Sequence, residues 1–549
     1  MILGNLDVWT EILSHLHIYL PLDQKEVIGE KRRALLCVAL LSPTLTGLAL
    51  EHLWRSMASL EPVRLVINSS CAGGQEQLRF LQDNQGGYWV LQEPLSQEQR
   101  IRASGYLSHI HNFHFQLTTG TRETSLWSML SVSLGLSGTV PLIPNLKSLS
   151  LDFRGSNGGV ATWLHSMTPL MSPSLGQVSY MTTLAHAGGV EVFQAMLKSQ
   201  SIELSSLYYH GPPSPRLLEC FLFFNGLESL TLDFILQGMS IQRYTQSAVT
   251  IADIFDQSPH LKALRVDLRL FPLRDPVSLG KRMKVDASPA LRSLHVTGDA
   301  SDLHSFLLDG VTSSSLSTLT IFIAQASELV WKSLCDRASV NFPKMRNLTL
   351  QAQPGSGVPQ LLLQDISSII SRATMQSFQI DTIPHCLADA NITGLVSSWP
   401  ELKSFAILND YSSFLSAKVL IEISQLPHLQ YLALPLDLSQ LGTPLLYTPH
   451  TDCPLQELKV IRYSAAPTTL DGKIDLARNI LMLFPAIESI SGVEASQNAY
   501  MGELHKLIRA FHSVVAIQTH RTASRHRVLK EDKQMKRPKI GEEIGVAQG

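Results

Sequence analysis

MRNLTL, residues 345–350, is followed by MQSFQI at 375–380, LKSFAI at 402–407, LQYLAL at 429–434 and LQELKV at 455–460. Each copy has an apolar residue, two variable residues, an apolar residue, one variable residue and a final apolar residue. The last three positions alternate with period two, the signature of a strand with one buried face. Towards the N-terminus the same six-residue template reads LSTLTI at 316, LRSLHV at 291, LKALRV at 261, LESLTL at 227 and LKSLSL at 146. Weaker copies are LSSLYY at 204, LGQVSY at 175 and IESISG at 487, and IHNFHF at 110 is a poorer first copy. From Leu146 to Ile487 successive copies lie 23 to 34 residues apart, a mean period of about 28, which is that of a repeat array. A proline stands just upstream of many copies, among them Pro144, Pro289, Pro343, Pro400 and Pro427. Proline cannot continue a helix and biases its neighbour to extended geometry, so it fits a loop leading into a strand.

Between the strands, GVEVFQAMLKSQ (189–200), SELVWKSLCDRAS (327–339), PQLLLQDISSIISRA (359–373) and SAKVLIEISQL (416–426) carry helical patterns. One strand and one helix cannot bury an apolar face alone, whereas stacked copies share a continuous core. The pattern resembles the leucine-rich repeat, which implies an α/β solenoid with parallel strands inside and helices outside. The asparagine that follows the strand in that family is missing from most copies. Asp152, Asp233, Asp267 and Asp381 stand after the core instead, so uneven loops are expected. In such an array the residues between the aliphatics face the concave surface. Tyr208, Arg265, Asp267, His295 and Tyr431 are the candidates for contact with a client protein there, Tyr and Arg being frequent at binding hot spots.

At the other end of the chain, LDVWTEILSHL (6–16) places Val8, Trp9, Ile12, Leu13 and Leu16 on one helix face. RRALLCVALLSPTLTGLALEHLWRSM (32–57) is apolar at Leu35, Leu36, Val38, Leu40 and Leu41, is broken by Pro43, and resumes from Leu45 to Trp54. A linker over 17–33 separates the two stretches. Together they resemble an F-box: Asp7-Val8 ahead of Ile12-Leu13-Ser14-His15-Leu16, a helix of the LLxxxLVS type from Leu35 to Ser42, and a last helix ending in Leu53-Trp54. The arrangement is similar to fungal F-box proteins in which this module precedes a degenerate leucine-rich array, and YWVLQEPLSQEQRIRASGY (88–106) is similar to their connecting region.

The resemblance implies a three-helix module that docks on the Skp-type adaptor of a cullin–RING ubiquitin ligase. By matching position, Val8, Ile12, Leu13, Leu16, Val38, Leu41 and Trp54 are the adaptor-binding residues or the packing beneath them. The alternative is that they only cover the first end of the solenoid. The expected organisation is an F-box-like module at 1–60, a connecting region at 61–109, an irregular solenoid at 110–498, a helical cap at 499–519 and a basic tail at 520–549.

Composition narrows the function classes. With 44% hydrophobic and 16% charged residues the chain has material for a packed interior. A net charge of −2 favours neither nucleic acid nor anionic membranes, and no partner of either kind is expected. Six cysteines, Cys37, Cys71, Cys220, Cys335, Cys386 and Cys453, form no CxxC pair and read as small hydrophobes in a reducing compartment. The N-terminus has no secretory pattern and no run reaches the roughly 20 apolar residues of a membrane span. An intracellular protein, cytoplasmic or nuclear, is expected.

No phosphate-loop, metalloprotease or hydrolase-elbow motif occurs, so no enzyme, cofactor or metal is expected. Among His109, His111 and His114, strand alternation separates the last from the other two. RGSNGG (154–159) reads as a loop. The tail from Arg521 to Lys539 holds eight basic residues against two acidic ones; it reads as solvated, with KRPK (536–539) as a nuclear signal the alternative. The expected function is a non-enzymatic substrate-recognition subunit of an SCF-type ubiquitin ligase. Its rival is a leucine-rich scaffold unconnected to ubiquitin.

Overall fold

The structure, a computed structural model, describes residues 6–514 apart from 19–24, 70–76, 84–85, 117–120, 137–139, 155–166, 184–186, 201, 214–218, 220–221, 236–250, 272–284, 287–288, 308–310, 326–330, 386–387, 409–413, 443–452, 465 and 494–497. The RGSNGG loop beyond Arg154, the basic tail and Cys71, Cys220 and Cys386 lie outside the described residues. The chain divides into two compact units, one of Met1–Ala324 with Val340–Lys344 and one of Gln325–Ser339 with Met345–Gly549.

The first unit opens with three helices, α1 (Leu6–His15), α2 (Lys25–Leu41) and α3 (Pro43–Trp54). The linker expected over 17–33 is shorter, because α2 begins at Lys25. Pro43 starts α3 rather than merely breaking a helix. It takes the first helical turn, where a missing N–H costs nothing, and the Ser42 hydroxyl accepts from the Thr44 N–H. Then β1 (Ser56–Met57) follows α3 almost directly. A hairpin comes next, β2 (Leu78–Asp83) and β3 (Gly86–Leu91), and a helix at Gln97–Ser108 fixed by a Ser96–Gln99 capping box. The repeat strands are β4 (Asn112–Gln116), β5 (Ser148–Asp152), β6 (Gln177–Met181), β7 (Ser206–Gly211), β8 (Ser229–Phe234) and β9 (Ala263–Asp267). Beyond a small pair, β10 (Val285–Asp286) with β12 (Val311–Thr312), the series continues as β11 (Ser293–Gly298) and β13 (Thr318–Ile323). Within this unit the sheet order is β1-β4-β5-β6-β7-β8-β9-β11-β13, every pairing parallel.

The second unit carries β14 (Asn347–Ala352), β15 (Ser377–Asp381), β16 (Ser404–Leu408), β17 (Tyr431–Asp437), β18 (Glu457–Ser464) and β19 (Ser489–Gly492), again all parallel and in sequence order. Each copy of the template, including the weak ones at 110, 175, 204 and 487, forms a strand that starts at its third residue. The first, fourth and sixth residues are the core: Leu146, Leu149 and Leu151, or Leu402, Phe405 and Ile407, are buried. The carbonyl of the second residue accepts two N–H groups from the next copy, as Arg346 does from Gln376 at 2.7 Å and Ser377 at 3.0 Å. Repetition of this bond locks the register, since a slip by one residue would turn the aliphatic set out of the core.

Helices follow the predicted pattern at Ala187–Ser199, Trp331–Asn341 and Ala417–Ile423. They do not at 359–373, where only a 3-10 turn, Leu363–Ile366, and a four-residue helix, Ser367–Ile370, form. There Leu361 is drawn into a parallel bridge with His385, its N–H donating to the Pro384 carbonyl at 2.8 Å. Sheet pairing outcompetes helix propensity at that point. The cap at the end of the chain is a helix described over 498–514. It buries Met501, Leu504 and Ile508 and accepts on Asn498 the N–H of Gly492.

Two devices stand in for the missing asparagine. Asp152, Asp267 and Asp437 each accept the backbone N–H two residues on, at 3.0–3.1 Å, which turns the chain out of the strand. On the other side of the strand, loop serines reach back to the preceding copy: Ser172 to the Pro144 carbonyl at 2.6 Å and Ser315 to that of Leu291 at 2.9 Å.

The N-terminal helices are joined to the sheet without a linker. Trp54 is buried against Tyr106, ring centroids 4.6 Å apart, and Ser56 pairs with Asn112, whose side-chain amide donates to the Ser56 hydroxyl at 3.0 Å. In register, Trp54 takes the place of a template's first apolar residue. The Glu123 carboxyl, buried, accepts from the Leu60 N–H at 2.6 Å, the Ser59 hydroxyl at 2.9 Å and the Trp127 indole at 3.2 Å. The sheet therefore begins at Ser56, inside the region expected to be a separate module.

Candidate functional site

The residues between the aliphatics form cross-strand rows. In the first unit one row runs His114, Ser150, Ser179, Tyr208, Thr231, Arg265, His295, Thr320, each opposite the next on adjacent strands. The next row brings His210 beside Asp233. The His210 Nδ1 lies 3.0 Å from the Asp233 carboxylate, and the Arg265 guanidinium 3.7 Å from its other oxygen. Burial, with the Arg265 charge adding, pushes the His295 imidazole down to about 4, so it is neutral at physiological pH. Burial and the Asp233 charge push the Tyr208 phenol up. Tyr208, Arg265 and His295 thus converge on one surface that offers a hydroxyl, an exposed guanidinium and a neutral imidazole.

Asp267 does not join them. It is buried, and its two oxygens accept from the Arg269 guanidinium at 2.9 and 2.6 Å. Asp152 is held by Arg154 in the same way. Across the strands beside it the His114 Nδ1 approaches the Ser150 hydroxyl at 2.8 Å.

Tyr431 lies in the second unit, on a different floor. The β17–β18 ladder shifts between Leu434 and Leu436, and at the slip Ile461 packs with Ala406 and Ala433 on the interleaved side. These three are buried, and the half-buried Tyr431 and Leu408 pack against them.

The adaptor candidates split into two sets. Leu13, with Ile18 and Leu35, is the core of the three-helix module, and Leu16, Val38, Leu48 and Leu53 pack against it. Trp54 is sealed against the first repeat. Val8 and Ile12, one helical turn apart on α1, are each 42% exposed, and Leu41 is 66% exposed. Sequence reasoning overlooked two residues of α2 in this role: Leu40, at 88% the most exposed large apolar side chain among the described residues, and Leu36 at 47%. Their (i, i+4) spacing was visible in the sequence, but an all-round apolar helix does not say which side its neighbours cover.

Among the described residues no group of three or more His, Cys, Asp or Glu is placed to hold a metal ion, and no helix is long and apolar enough to cross a membrane. Register, period and core together define a leucine-rich-repeat solenoid, the class of fold built for protein interaction. No family model matches the chain, and no curated protein matches it. Solved structures do. The Rad7 and Elc1 complex in yeast shares 13% identity over 61% of this chain and 77% of that one, with a TM-score of 0.39. The leucine-rich repeat-containing protein LegL7 from Legionella pneumophila shares 12% over 72% and 96%, with a TM-score of 0.29.

Proposed function

We propose that the chain is a non-enzymatic substrate-recognition subunit of an SCF-type ubiquitin ligase, its N-terminal helices docking a Skp-type adaptor and its repeat surface holding a client. The observation that carries this reading is the module's surplus of apolar surface. Leu13, Ile18 and Leu35 already give it a core, yet Val8, Ile12, Leu36, Leu40 and Leu41 remain outside it. A covered end cap would have no use for such residues, and an apolar surface of this kind suits a partner's helix. The rigid joint at Trp54 and Ser56 supports the same reading, since a receptor that presents a client must hold it at a fixed place relative to the ligase.

Co-expression with a Skp-type adaptor followed by gel filtration tests it. The wild-type chain is expected to elute with the adaptor in equal amount, and Ile12→Asp combined with Leu40→Asp to elute alone with an unchanged circular dichroism spectrum. Failure of the wild-type chain to retain the adaptor leaves a leucine-rich scaffold of unknown partners.

A further inference from the structure

The joint between α3 and the first strands holds polar groups that neither interaction face uses. The Arg55 carbonyl accepts from the His111 and Asn112 N–H groups, both at 2.9 Å, and the His111 carbonyl accepts from those of Lys147 at 2.8 Å and Ser148 at 3.0 Å. Arg55, His111 and Lys147 therefore occupy the same template position on three consecutive strands, whose spacing is about 4.8 Å. The Arg55 Nε and the His111 Nδ1 are shielded from solvent yet meet no hydrogen-bonding partner among the described residues. Lys147 is exposed at the edge. His111 feels the positive charges of Arg55 and Lys147 and the opposing one of Glu51, one turn back on α3.

A shielded N–H with no acceptor costs free energy that a bound acceptor returns, most of all an ionised one. We propose that this seam is an oxyanion site, in which the Arg55 guanidinium, the His111 imidazole and the Lys147 ammonium take a carboxylate or phosphate group of a protein partner. Arg55 supplies the shielded donor, Lys147 the outer charge that draws the anion in, and His111 the floor between them. The site shares no side chain with the apolar face of the module, so it holds whether or not an adaptor docks there.

Thermal unfolding of the full chain tests it, in sodium chloride, in inorganic phosphate and with a hexaglutamate peptide, all at matched ionic strength. A saturable rise of the midpoint by about 2 °C or more is expected with one or both anions. The rise disappears in Lys147→Gln, an exposed change that leaves the fold alone. It persists in Lys403→Gln, which alters an exposed lysine at the same template position in the second unit. A rise with peptide assigns the site to acidic side chains, and one with phosphate alone assigns it to phosphate groups. No rise in the wild-type chain, or one that survives Lys147→Gln, overturns the proposal.

Discussion

Asp267 and Asp152 show how the same residue in the same turn acquires different weight from its surroundings. Both hold an arginine two residues on by two bonds, but Arg269 is mostly buried and Arg154 half exposed. Asp267→Ala takes both hydrogen-bond acceptors from a mostly buried guanidinium, leaving it the charges of Asp299 and Asp302, and is expected to cost about 2 kcal/mol. Asp152→Ala should cost about 1 kcal/mol or less, and urea denaturation of the two variants reads the difference. Glu123 works through a different balance. Burial raises its pKa above the ordinary 4.5 although three donors oppose the shift. The folded state therefore favours the protonated form. The stability linked to this group is full below the ordinary carboxylate pKa and is lost as pH rises through the raised one. Glu123→Gln should flatten that dependence, whereas Glu123→Leu should cost about 2 kcal/mol by leaving the Leu60 N–H and the Trp127 indole unmet. His295 has the opposite sign. Its folded pKa of about 4 lies below the ordinary 6.5, so the unfolded chain takes up the proton first. Stability is unaffected above pH 6.5 and declines as pH falls from 6.5 towards 4, and a melting series on His295→Gln should show a smaller acid-side fall.

At the scale of an element, α1 sets two functions one residue apart. Leu13 is buried against Ile18 and Leu35, while Ile12 is 42% exposed. Truncating Leu13 to Ala removes packing and should destabilise the module by about 2–4 kcal/mol, seen as faster amide exchange through all three helices. Replacing Ile12 by Asp should leave exchange unchanged and act only on docking. Equal losses of stability from the two variants would place Ile12 in the core and remove the surface on which the adaptor reading stands. The contrast follows from helix geometry, since adjacent residues are rotated by about 100° and only one can face the module's interior.

Within the first unit the junction of module and sheet is a continuous piece of structure. Trp54, Ser56 and Met57 serve both α3 and the first parallel pairing, and Glu123 ties Leu60 to the helix Thr121–Ser133. A chain beginning at residue 61 loses β1, leaves one edge of β4 without its partner and uncovers Tyr106. It is expected to aggregate, or to lose protection at Asn112–Gln116 in hydrogen exchange. A chain that lacks only α1 keeps that protection. If both truncations left Asn112–Gln116 equally protected, the joint would be a simple tether.

The periodic template determined the strands, their order of use and their buried residues, because a parallel ladder accepts only the register that keeps every aliphatic in the core. Even the poor copy at Ile110 obeyed it. The same periodicity could not place partners of comparable strength. Leu361 left a helical pattern for a bridge to His385, Asp267 turned from the interleaved face to Arg269, and Ile461, which alternation already puts on that face, was buried there against Ala406 and Ala433. Which apolar residues of the first helices remain outside was likewise decided in three dimensions. A pattern of hydrophobicity records that a residue is apolar, while exposure depends on which neighbours the folded chain brings against it.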